Sequence, residues 1–140
     1  MPPSKVFVDT GGWYAVCVPE DTHHSVAARY YADLAIHRTL LLTSDYVLDE
    51  TLTRIRYDVS LDGALASWTR IELAIKQNRL RVLRVDESVW ERAMGVFRKF
   101  SDQKLSFTDC TSFVLAQDAG AEEVFGFDSH FALVGLVTRP

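Results

Sequence analysis

Short apolar runs alternate with longer segments of helical period along this chain of 140 residues. Lys5 to Asp9 (KVFVD) is an apolar run closed by a carboxylate, which predicts a strand buried on both faces. Thr10 to Val18 predicts a short helix or turn. After the break at Pro19-Glu20-Asp21, Thr22 to Arg38 carries Val26, Ala27, Tyr30, Tyr31, Leu34 and Ala35 near helical spacing. Thr39 to Thr43 is a second apolar run and a second predicted strand. Ser44 is a suitable N-cap for a helix to about Tyr57, with Val47, Leu48, Leu52 and Ile55 on one face. Ser60 or Asp62 opens a further helix to about Gln77. Leu80 to Val85 predicts a third strand, and Asp86 or Ser88 starts a helix ending near Phe100. A polar loop, Ser101 to Lys104, leads to a helix from Ser106 to Ala119 with Gly120 as its C-terminal cap. Glu123 to Phe127 is a fourth strand, Asp128 to Leu133 a helical turn, and Val134 to Thr138 an edge strand.

Strands that alternate with helices imply a parallel sheet covered on both faces, an α/β/α sandwich of five strands. No repeat, low-complexity tract or long linker divides the chain, so a single domain over residues 1–140 is expected. In such sheets ligands bind beyond the carboxyl ends of the strands, where strand order reverses. Those ends carry acids here, and composition sharpens what the acids mean. The net charge is −4, and 48% of residues are hydrophobic. A protein that wraps nucleic acid by bulk charge usually shows a basic footprint instead. Cys17 and Cys110 have no partners at metal-ligand spacing, so neither a zinc site nor a disulfide framework is indicated. Met1 to Lys5 opens no long apolar stretch, and no segment approaches the length of a membrane span, so a reduced cytoplasmic setting is expected.

Each acid has a plain structural explanation. Asp9 and Asp128 each end an apolar strand and can cap the helix that follows. Ser106 and Asp109 have the spacing of a capping box. Glu50 falls at the polar border of its helix, four residues before Arg54, where a solvated ion pair would explain it. Asp45 and Asp49 are rivals on the same helix. The alternative concerns the set. If Asp9, Glu50, Asp109 and Asp128 converge, each like-charge pair at about 6 Å and an effective dielectric of about 20 costs roughly 3 kcal/mol. The sequence places no Lys or Arg inside the set. A cluster of that kind binds protons or hard divalent cations, Mg2+ or Mn2+. Such ions activate water and stabilise charge on phosphate oxygens, which is the chemistry of phosphodiester hydrolysis. Thr10-Gly11-Gly12 fits neither common glycine-rich phosphate loop.

Four segments in this order resemble a PIN domain, and within that family the VapC-type toxins. VFVDTGGWYAV carries Asp9 and Thr10, LLTSDYVLDETLT selects Glu50, and KLSFTDCTSFVLAQDAGAEEVFGFDSHF carries Asp109 and Asp128. The resemblance covers nearly the whole chain. It implies a parallel five-stranded sandwich, an acidic Mg2+ or Mn2+ site made by these four carboxylates, and endoribonuclease activity. It also implies a homodimer, with the Thr51 to Trp68 region as its expected interface, and an antitoxin partner. One position departs from the pattern: many relatives carry an acid two residues after the fourth motif's aspartate, where this chain has His130. A surface position is the first expectation for His130, and contact with metal-bound water or RNA the second.

The remaining candidates are weaker. His23-His24 reads as a solvated helix end. Trp13, Trp68 and Trp90 read as core or dimer packing. Arg98, Lys99 and Lys104 form either an ordinary charged loop or a set of phosphate contacts. Arg79, Arg81 and Arg84 flank a strand and read as solvated. Two rival functions share the architecture. A non-catalytic PIN-fold binding module would be marked by loss of one of the four acids. A phosphotransfer receiver would want an acidic pair after its first strand, where this chain has Asp9-Thr10.

Overall fold

The computed structural model describes residues 2–140. Five strands form one sheet in the order β3-β2-β1-β4-β5, with every pairing parallel. β1 (Lys5–Val8) is central, and Val6, Phe7 and Val8 are fully buried, as a strand covered on both faces must be. It is followed by α1 (Thr10–Cys17), α2 (His24–Ile36), β2 (Leu40–Ser44), α3 (Asp45–Asp58), α4 (Leu61–Lys76) and β3 (Leu80–Leu83). The chain then returns across the sheet. α5 (Glu87–Lys99) and α6 (Phe107–Asp118) lead to β4 (Glu123–Phe125) on the other side of β1, and a 3-10 helix (Ser129–Val134) leads to β5 (Val137–Arg139). Strand order therefore reverses between β1 and β4. A crevice beyond their carboxyl ends follows from that reversal.

The caps confirm most predicted boundaries. Ser44 accepts from the Val47 N–H at 3.0 Å, Ser60 rather than Asp62 caps α4, and Asp86 rather than Ser88 caps α5. α6 ends in a Schellman motif: Ala121 N–H donates to the Ala116 carbonyl and Gly120 N–H to that of Gln117, with Gly120 at φ +73°. Four boundaries differ from expectation. α2 starts at His24 rather than Thr22, because the Asp21 carboxylate takes the His23 N–H and holds a turn there. β3 stops at Leu83 because the Val85 N–H donates to Asp45 instead of the sheet. β4 ends at Phe125, two residues before the predicted end, although Gly126 N–H still reaches the Arg139 carbonyl. The last strand is Val137–Arg139 because the 3-10 helix extends to Val134 and Gly135 turns at φ +78°.

Two glycines set how closely the elements approach at the crevice. A Cβ on Gly12 would lie 2.4 Å from the Phe125 carbonyl oxygen, so only glycine lets α1 seat on the end of β4. A Cβ on Gly126 would lie 3.3 Å from the Cβ of Asp9. Trp13 is fully buried, and its Nε1–H donates to Thr43, whose hydroxyl donates to the Val8 carbonyl, which ties α1, β2 and β1 together beneath the crevice.

Gly12→Ala should therefore destabilise the fold by about 1–3 kcal/mol, since the obstacle is backbone that cannot swing aside. Gly95→Ala in α5, where an added Cβ meets nothing within 4 Å, should stabilise by about 0.5–1 kcal/mol. Urea unfolding of both variants checks the contrast; equal effects would contradict the close approach of α1 to β4.

Candidate active site

Asp9, Glu50, Asp109 and Asp128 line one cavity of about 600 Å3 at the strand-order reversal. Asp9 follows β1 and is only 5% exposed. It occupies the N-cap position of α1, but its side chain makes no capping bond, so capping does not account for it. Asp109 does complete a capping box: its Oδ2 accepts the Ser106 N–H at 3.0 Å, and the Ser106 hydroxyl accepts the Asp109 N–H at 3.0 Å. That arrangement fixes the carboxylate and engages only one of its oxygens. Asp128 caps the 3-10 helix through the His130 N–H at 2.9 Å, and Thr138 in the edge strand holds the Asp128 carbonyl at 3.1 Å.

Glu50 does not sit on a solvated face. It is half-buried against the cavity, and no ion pair joins it to Arg54 among the described residues. The Arg54 guanidinium lies over the Tyr14 ring instead, 4.5 Å from its centre. The rival acids on α3 lie elsewhere. Asp45 accepts from the Tyr46 and Val85 N–H groups, and Asp49 is exposed. The sequence by itself places no Lys or Arg inside the set; the structure brings Arg54 and Lys104 to the wall of the same cavity. Lys104 lay in the loop flagged by the sequence. Arg54 was masked by its spacing from Glu50, which invited a pairing that the tyrosine ring displaces.

The electrostatics follow from this crowding. The Asp9 carboxyl is pushed from 3.8 up to about 7, by burial first, then by the charge of Asp109, with Glu50 and Asp128 adding to it; the Thr10 N–H pulls the other way. Glu50 is raised by burial and by Asp109, partly offset by Arg54. Asp109 is raised by burial, against the Ser106 N–H that steadies its charge, and raised further by Asp128. The Thr10 hydroxyl is buried in the cavity wall and has no hydrogen-bond partner among the described residues. Mutually repelling carboxylates and an orphaned hydroxyl form an oxygen donor set that fits a hard divalent cation such as Mg2+ or Mn2+, while Arg54 and Lys104 stand at the wall of the same cavity.

His130 also lines the cavity, which was only the second expectation for it. The sequence carried one usable signal: an aspartate two residues earlier whose side chain caps a turn brings the two side chains together. The other histidine candidates do not line the cavity, although His23 packs against one residue of its wall. His23 stacks on Phe127, with ring centres 4.2 Å apart, and His24 bonds the Ala15 carbonyl.

A parallel α/β/α sandwich with an acidic crevice beside its central strand is the architecture of PIN domains. The PIN domain model matches residues 6–136, and the chain belongs to that family. It is 30% identical over 137 residues to the 23S rRNA-specific endonuclease VapC20 of Mycobacterium tuberculosis, covering 96% of this chain and 98% of that one. It is 29% identical over 129 residues to a VapC ribonuclease of Archaeoglobus fulgidus, covering 90% of this chain and 78% of that one. The crystal structure of M. tuberculosis VapC20, described as a sarcin-ricin loop cleaving toxin, superposes with a TM-score of 0.82 at 28% identity, over 94% of this chain and 96% of that one. The PIN resemblance read from the four motifs and the five-stranded parallel sheet expected from them are both borne out, and the relatives place the chain among the VapC-type proteins.

The pH dependence of stability without metal has a defined sign. Folded Asp9 holds a proton up to about pH 7, whereas the unfolded carboxyl releases it near 3.8. Stability from this proton is complete below the lower value and is lost as pH rises through the upper one, by at most about 4 kcal/mol. In EDTA, Asp9→Asn should therefore be more stable than the wild type at pH 8, with the gap closing toward pH 5. Urea titrations at both pH values check this; a gap independent of pH would contradict the raised carboxyl.

Proposed function

We propose that this protein is a divalent-metal-dependent endoribonuclease that hydrolyses RNA phosphodiester bonds in the acidic crevice, as the toxin of a toxin–antitoxin pair in the cytoplasm. The observation that carries the reading is the convergence of four carboxylates from four separate chain segments, with the Asp9 carboxyl pushed up to about 7 by burial first and then by the others. The ribonuclease names of relatives that align over most of the chain support it. Asp9 and Asp109 are the principal ligands for Mg2+ or Mn2+, and Asp128 completes the site. When bound, the ion polarises the phosphate and lowers the pKa of water.

The chain's own residues do the remaining work. Asp109 is held in place by its capping box, so no side-chain freedom is lost when it binds. Glu50, kept more basic than an ordinary glutamate, orients the attacking water and accepts its proton. Arg54 and Lys104 hold the phosphates flanking the cleaved bond at the cavity wall. The Thr10 hydroxyl, otherwise unpartnered, orients a donor at the ligand cluster.

Asp109→Asn separates the two roles of that residue, because the asparagine side-chain oxygen still accepts the Ser106 N–H of the capping box. Its melting temperature should match or exceed that of the wild type, while cleavage of an RNA pool in Mg2+ or Mn2+ should fall by about 100-fold or more, the scale seen when a charge-stabilising group is removed. Glu50→Gln should also lose cleavage, Asp49→Asn should keep it, and EDTA should abolish it in every variant. Full cleavage by Asp109→Asn would overturn the proposal.

The antitoxin would cover the crevice, and a homodimer would use the neighbouring face of α3 and α4. There Leu52, Tyr57, Leu61, Leu65 and Trp68 line an apolar groove of about 510 Å3, with Tyr57 82% exposed. Sedimentation at roughly tens of micromolar should show a dimer that Leu65→Glu converts to monomer; a monomeric wild type would contradict this assembly.

A further inference from the structure

The tightest constellation of metal-binding atoms in the crevice is not the four-acid set. One oxygen from Asp109, one from Asp128 and a ring nitrogen of His130 all lie within 4.8 Å of one another. His130 Nδ1 stands 2.8 Å from Asp128 Oδ1, yet the two are off the line of a hydrogen bond and Nδ1 has no hydrogen-bond partner. That nitrogen is shielded from solvent, although the ring as a whole is half-buried. A buried ring nitrogen without a partner is costly. That cost vanishes if the nitrogen binds a cation that the Asp128 oxygen, which already accepts the His130 N–H, also touches. Adjacent ligands on an octahedral ion with bonds of about 2.1 Å stand about 3.0 Å apart, close to the separation found.

The backbone holds this pair together. Asp128 accepts the His130 N–H at 2.9 Å, and Thr138 anchors the Asp128 carbonyl, so the nitrogen and the oxygen are presented as one unit. Thr10 gives a second, independent sign that the crevice takes a ligand. Thr10 is 4% exposed and lines the same cavity, and its hydroxyl has no hydrogen-bond partner among the described residues.

We infer that His130 is a direct ligand of the crevice cation, making a mixed nitrogen–oxygen site that favours Mn2+ and its later transition-metal neighbours over Mg2+. Imidazole suits transition metals, whereas an all-carboxylate cage suits Mg2+ equally well. The inference rests on the proposed metal site and adds to it a ligand and a metal preference.

Two measurements that do not involve catalysis test it. The first is electron spin-echo spectroscopy of the wild-type protein with Mn2+ alone, unlabelled and labelled with 15N-histidine. The expected spectrum contains a nitrogen coupling that changes on labelling and disappears in His130→Ala. The second is calorimetric titration with Mn2+ and with Mg2+. The ratio of Mn2+ to Mg2+ affinity should fall by about tenfold or more in His130→Asp, the scale on which loss of a metal-site group acts. Wild-type Mn2+ binding that is lost in Asp109→Asn but shows no nitrogen coupling would overturn the inference and leave the acidic site standing. An absence of Mn2+ binding would overturn both. An unchanged affinity ratio in a folded His130→Asp protein would overturn the metal preference.

Discussion

A carboxylate at the end of a fully buried central strand is the constraint around which the crevice is built. Asp9 is pinned by the register of β1: its N–H donates to the Phe125 carbonyl at 3.0 Å, and its side chain cannot retreat to solvent. Burial alone penalises its charge, and three further carboxylates deepen the penalty. An apolar residue there would be more stable. The arrangement makes physical sense only if a cation or a proton occupies the centre of the cluster. Gly12 and Gly126 serve the same end, since each removes a Cβ that would push β4 or α1 away from Asp9.

Crevice and fold share residues here. Asp109 and Asp128 both line the crevice and act as caps, so the elements that deliver them are stabilised by the carboxylates they deliver. That economy fixes the geometry without long, flexible side chains. It also means that alanine substitutions at these positions confound loss of a cap with loss of a ligand, whereas asparagine separates them. The strand order supplies the location. β1 and β4 are neighbours whose onward connections run to opposite sides of the sheet, which leaves their carboxyl ends uncovered.

Much of this was legible in the sequence, for stated reasons. Apolar runs closed by acids located β1 and β4, and serine caps located the starts of α3, α4 and α6, because both signals are local. What escaped was set by contacts distant in sequence. β3 is cut short by the side chain of Asp45, forty residues earlier, and Arg54 is drawn to Tyr14 rather than to the glutamate on its own helix. Helical spacing placed Glu50 at a polar border, and only the packing of α3 beside the N-terminus of α6 turns that border into a cavity wall. His130 looked like a surface residue because nothing in a linear reading shows that the Asp128 cap folds it back over the crevice.

The central claim is that the acidic crevice exists to hold a divalent cation. Crystals grown with Mn2+ and measured at a wavelength where manganese scatters anomalously test it most directly. The expected map has a single strong peak in the crevice, within about 2.0–2.3 Å of oxygens from Asp9 or Asp109, the range for oxygen ligands of such ions. A crevice open to the solvent channels with no anomalous peak, or with ions bound only at other surface acids, would contradict the account.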